Sequence, residues 1–163
     1  MKVLSKEEMI LYDLVMIQQE RMSACCYLRK WLSDHVLTDL VEKLEEQAKQ
    51  FQMELRSCLH TGRPDPAGQS EQKGELYQQW EGIHKIKPGC SEYDLIVSCE
   101  ENERSTTLLY ENILKEEREL TRDICRIIST QLEKMGKSLA VVIETKLYAS
   151  AINQKSRELC IRP

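Results

Sequence analysis

Leu37, Val41, Leu44, Ala48, Phe51, Leu55 and Cys58 follow one another at alternating steps of four and three residues. That spacing keeps one apolar seam on one side of a helix, and an isolated helix cannot bury such a seam. Three other stretches carry comparable seams. The chain therefore reads as all-α, with four amphipathic helices closing around a shared core. Composition agrees: charged residues make up 31% and aromatics 6% of 163 residues, and glycine and proline are scarce. A chain rich in Glu, Lys, Leu, Gln and Ile and poor in Gly and Pro has a helical composition.

The first helix is expected after Ser5, which makes a capping box with Glu8. Its apolar face runs through Ile10, Leu11, Leu14, Val15, Ile17, Met22, Ala24, Cys25, Leu28, Trp31 and Leu32. Ser33 and Asp34 break it and cap the second helix. So short a turn makes the second helix antiparallel to the first. The second ends near His60, before the loop Thr61-Gly62-Arg63-Pro64-Asp65-Pro66-Ala67-Gly68.

A short amphipathic segment with Leu76, Trp80 and Ile83 follows, and Ser91 with Asp94 opens the third long helix. That helix presents Leu95, Ile96, Cys99, Glu103, Thr106, Leu109, Tyr110 and Ile113. After a break near Lys115-Glu116-Glu117, the fourth shows Leu120, Ile124, Ile127, Ile128, Gln131, Leu132, Met135, Leu139 and Val142. These limits give a bundle domain over 1–146 and a C-terminal helical extension or frayed tail over 147–163.

The connector from about 61 to 90 sets the topology. Neighbouring bundle helices are usually joined by about 2–8 residues. A connector of roughly 30 can climb the whole length of a 20-residue helix, about 30 Å. It predicts a crossover, with the second and third long helices parallel and the Trp80 segment packed outside. One such crossover is the ferritin-like arrangement.

Three groups of residues carry a family resemblance. They are Leu11-Tyr12-Asp13-Leu14-Val15, Trp80 within Leu76-Tyr77-Gln78-Gln79-Trp80, and Cys99-Glu100-Glu101-Asn102-Glu103. With Tyr110-Glu111 and Gln131, the chain over about 8–143 resembles the ferritin-like bacterial proteins classed as domain of unknown function 2383. The resemblance implies a four-helix bundle with a short crossover helix and no established activity. Many members carry a histidine about eight residues after the last-helix glutamine, where this chain has Leu139.

A di-iron carboxylate bundle takes a Glu from each of two helices and Glu-x-x-His from each of the other two. The three histidines are His35, His60 and His84, and only Glu81-Gly82-Ile83-His84 has that spacing, on the crossover segment. Polar residues do interrupt the seams: Gln18, Glu20, Arg21, Glu45, Glu100, Glu103 and Gln131. One reading makes Gln18, Arg21, Glu45, Glu100, Glu103 and Gln131 a paired polar layer that fixes helix register, with Arg21 bridging Glu103 or Glu100. The other makes Glu20, Glu100 and Glu103 a site for a hard divalent cation. The charge of Arg21 would repel a cation and favours the first, so no cofactor is expected.

No nucleophile motif or glycine-rich phosphate loop is present. The net charge of −4, with no run of five like charges, argues against a nucleic-acid partner. No apolar run approaches the ~18 residues that a membrane span requires, and no signal peptide is expected before Glu7-Glu8, which points to the cytoplasm. Seven cysteines without a C-x-x-C read as buried small hydrophobes, four of them (Cys25, Cys58, Cys99, Cys125) on or beside seams. Trp31, Trp80 and Tyr77 read as packing anchors. Leu147, Tyr148, Ile152 and Leu159 on the last helix lack cover, so a non-enzymatic protein acting as a homo-oligomer or through a protein partner is expected. The alternative is a variant metal-binding ferritin-like protein.

Overall fold

The computed structural model describes residues 4–59, 71–86 and 89–161, the side chains of 71–73, 75 and 156–161 excepted. Among them the chain is all-helical, with no strand. It forms α1 (Lys6–Arg29), α2 (His35–Ser57), α3 (Glu71–Gly82) with a 3-10 turn over Ile83–Lys85, α4 (Glu92–Glu116) and α5 (Arg122–Ile161). The loop expected at Thr61–Gly68, and His60 before it, lie outside the described residues.

Local chemistry sets the helix ends. Ser5 and Glu8 form the capping box of α1 in both directions. Asp34 accepts the amides of Val36 and Leu37 at the start of α2, and the Ser91 hydroxyl accepts the amide of Asp94 at 3.1 Å at the start of α4. Helix α1 stops at Arg29, earlier than its apolar periodicity suggests. Trp31 consequently sits on the turn, 42% exposed, with its ring tilted against Tyr27 at 6.1 Å between centroids. The expectation that Trp31 is a packing anchor is thus corrected: the chain has left the helix before the ring could turn inward. Trp80, by contrast, is fully buried, and its indole N–H donates to Thr106 Oγ1 at 2.9 Å.

Cross-helix pairs fix direction. Gln19 meets Gln52, Arg21 meets Gln47 and Arg29 meets Glu45, so α1 and α2 are antiparallel. Tyr110 meets Gln131 and Glu100 meets Lys146, so α4 and α5 are antiparallel. Segment α3 packs on α1 and α4. Ser23 meets His84 and Tyr27 donates to the Ile86 carbonyl, while Asn102 of α4 donates to the Gln79 carbonyl. The ends are tied by Glu92, which accepts from the amide and hydroxyl of Ser33, and by the ion pair of Lys6 with Glu117 at 3.0 Å.

Two apolar clusters fill the interior. One, toward the α1–α2 turn, gathers Leu28, Leu37, Leu44, Trp80, Ile96 and Val142. The other, toward the opposite end, gathers Leu11, Leu14, Phe51, Leu55, Ile128 and Met135. Helix α5 runs unbroken to Ile161, and Ala149 is buried in the first cluster. Its packing therefore passes the boundary expected at residue 146. No helix among the described residues is long and apolar enough to cross a membrane.

Candidate functional site

Between the two clusters lies a layer of polar side chains, one or two from each long helix. Arg21 and Glu103 are both fully buried. The guanidinium grips the carboxylate with both arms: Nε donates to Oε1 at 2.7 Å and Nη2 to Oε2 at 3.0 Å. Such a fork is the strongest geometry a charged pair has, and it is needed here, because burying either charge alone costs several kcal/mol. Arg21 Nη1 donates to Gln18 Oε1 at 3.1 Å, and Nη2 also donates to Gln47 Oε1 at 2.7 Å. The Phe51 ring lies 5.9 Å from the guanidinium carbon.

From Gln18 the bonds pass in one direction. Gln18 Nε2 donates to the Tyr110 hydroxyl at 2.9 Å, and that hydroxyl donates to Gln131 Oε1 at 2.7 Å. Gln131 Nε2 donates to the Phe51 carbonyl at 3.3 Å and to Glu54 Oε2 at 3.4 Å. Gln47 Nε2 donates to Ser138 Oγ at 2.8 Å. Each amide spends its oxygen as acceptor and its nitrogen as donor, so the layer closes without an orphan amide. Burial works to lower the proton affinity of Arg21, and the adjacent Glu103 carboxylate more than reverses this, so the guanidinium stays charged. Burial likewise pushes the Tyr110 phenol above its ordinary range.

The structure thus brings Gln18, Arg21, Glu103 and Gln131 together. Glu45 stands apart: its Oε2, buried and without a hydrogen-bond partner, lies 3.4 Å from Arg29 Nη1. Glu100 also stands apart, with Lys146 Nζ at 2.9 Å and Arg104 at 3.3 Å. Burial disfavours the Glu100 charge, but hydrogen bonds from Lys146 and Arg104 prevail and hold its carboxyl below the usual range. Glu20 hydrogen-bonds Tyr77 on α3. The three carboxylates nominated for a cation therefore point to three different partners. Among the described residues no group of three or more His, Cys, Asp or Glu side chains is placed to hold a metal ion.

Gln47, Tyr110, Glu54 and Ser138 are members that sequence reasoning missed. Gln47 stands one residue before Ala48 of the opening ladder, and Tyr110 counts as apolar in any periodicity. A surer signal was the recurrence of uncharged amides, Gln18, Gln47 and Gln131, within or beside seams. Elsewhere, a cleft of about 280 Å³ opens where Leu37, Tyr93, Ala149 and Ile152 meet, with Cys90 at its lining. Cys25 and Cys99 are buried beside the polar layer, where burial raises both thiols well above their usual range. Cys58 and Cys125 are only half-buried.

Comparison with protein-family models, curated proteins and solved structures found no match to this chain.

Proposed function

We propose that the chain is a non-enzymatic, ferritin-like four-helix bundle of the cytoplasm that holds no cofactor and works by self-association or by binding a protein partner through its last helix. The observation that carries this reading is the outer face of α5. Leu147 is 67% exposed, Val141 48% and Tyr148 41%, on a helix whose opposite face is bundled. Apolar side chains gathered on one exposed helix face mark association surfaces more often than solitary ones do.

The ferritin-like arrangement is supported by pair order. Gln18 meets Tyr110 and Arg21 meets Glu103, so α4 opposes α1 in direction and matches α2. Ser23 pairs with His84 and Tyr27 with Ile86, so the segment before α4 rises alongside α1. Both favour a crossover between α2 and α4. The likeness to domain of unknown function 2383 remains part of the proposal, carried by the residues that first suggested it. A reducing compartment fits the six free cysteines among the described residues.

The absence of a cofactor is argued from the donor set. The carboxylate best buried for a cation, Glu103, already spends both oxygens on Arg21. Elemental analysis of purified protein checks this, and stoichiometric iron, manganese or zinc would overturn it. Sedimentation of the full-length chain over a range of concentrations tests association. A mass rising with concentration is expected, and Leu147→Arg is expected to suppress the rise. A wild-type chain that stays monomeric and captures no protein partner would sink the association reading.

A further inference from the structure

We infer that the occupant of the outer α5 face is a second copy of this chain, docked antiparallel about a two-fold axis that passes between Ala140 and Val141. The inference rests on the self-association reading and adds its partner and register. Gly136, Lys137, Ala140, Val141, Glu144 and Leu147 are all exposed along α5, spaced so that they share one stripe, whose N-terminal end also carries Glu133, 3.4 Å from Lys137 within the same helix. A two-fold interface must be complementary to itself. Antiparallel registers that keep this stripe in contact differ by one heptad, so they are few, and charge selects among them.

An axis at residue 137 sets Lys137 against Lys137 of the partner subunit. An axis at residue 144 sets Glu144 against the partner's Glu144. Midway between them, the axis between Ala140 and Val141 sets Lys137 against the partner's Glu144, twice by symmetry. Small and apolar side chains then occupy the centre. Leu147 comes under Lys134 of the partner subunit, whose methylene stem covers it while its ammonium reaches water.

Gly136 points the same way. A glycine inside a helix weakens it relative to alanine. Among the described residues, its own helix backbone apart, nothing lies within 4 Å of where a Cβ on Gly136 would sit, so no packing neighbour there requires a glycine. In the proposed register it faces the partner's helix between that helix's Glu144 and Tyr148, where a side chain would hold the two helices apart.

Charge exchange in the full-length chain tests the register, read by sedimentation equilibrium. Lys137→Glu and Glu144→Lys each place like charges in contact twice and are expected to weaken the dimer about tenfold. Mixing the two single variants, or combining both substitutions in one chain, is expected to restore wild-type affinity. Gly136→Leu is expected to weaken the dimer while raising the melting temperature of the monomer. All three positions are exposed, and circular dichroism melting confirms that the variants fold. If the wild type is monomeric throughout, self-association and this register fall together. If it dimerises but ignores the charge exchange and Gly136→Leu, the register is wrong and self-association stands.

Discussion

Arg21 is the residue on which the centre of the molecule turns, because it gives four hydrogen bonds in a place with no access to water. Arg21→Met keeps the volume and removes the charge, stranding Glu103. Breaking one half of a buried pair costs roughly 3–5 kcal/mol, and denaturant unfolding should show that loss. An unchanged midpoint would mean the pair does not stabilise the bundle. Glu100 shows a different situation, a buried carboxylate held by the more exposed Lys146 and Arg104. Its folded pKa lies below the ordinary value of about 4.3. Its contribution is therefore complete above that value and is lost as pH falls through the folded one. Melting temperature measured against pH should fall more gently on the acid side in Glu100→Gln. The thiols separate by the same reasoning: Cys90 is exposed, whereas Cys25 and Cys99 are buried and pushed up in pKa. Alkylation should reach Cys90 in the native protein and reach Cys25 and Cys99 only as fast as the bundle opens.

At the scale of elements, α3 is held by one large side chain and a few polar ties. Trp80 fills a fully buried site and anchors its indole N–H on Thr106. Trp80→Ala should cost about 3–5 kcal/mol, and hydrogen exchange should locate the loosening in α3 and the facing turns of α1 and α4. Equal protection everywhere would show that α3 docks by other means. Much of this element structure was legible in the sequence. The ladder from Leu37 to Leu55, the caps at Ser5, Asp34 and Ser91, and the Leu76–Trp80–Ile83 face are local signals, and the helices they specify are local objects. What escaped was what depends on neighbours. Trp31 keeps the period of α1, yet the backbone turns away after Arg29, and periodicity holds no information about that. Glu45 and Glu100 interrupt seams as Glu103 does. Only the azimuth of each helix in the bundle sends two of them to surface cations and one to Arg21. Cys58 keeps the ladder spacing of α2 but falls on its C-cap, and it packs against the second cluster only half-buried.

For the whole molecule, the polar layer divides the interior into two greasy compartments. Leu44 and Leu55 on α2 fall on opposite sides of it, as do Cys99 and Ile113 on α4, and Val142 and Ile128 on α5. A helix that slid by one turn would still bury leucines against leucines in either compartment, so apolar packing alone discriminates weakly between registers. The layer discriminates strongly, because a slip of about 5.4 Å parts Arg21 from Glu103 and breaks the chain of bonds from Gln18 to Glu54. The layer is thus expected to hold register while adding little net stability. This has a consequence opposite to that of the single substitution. Arg21→Met combined with Glu103→Leu strands no charge and joins the two compartments. Replacing a buried pair by apolar residues of similar size is often neutral or stabilising by about 1–4 kcal/mol. The double variant should accordingly unfold at or above the wild-type midpoint, while its amide spectrum broadens or doubles as helices sample neighbouring registers. A double variant as unstable as Arg21→Met alone would place the ion pair among the net stabilising contacts. One that is stable with a single sharp spectrum would return the choice of register to the loops and the apolar seams.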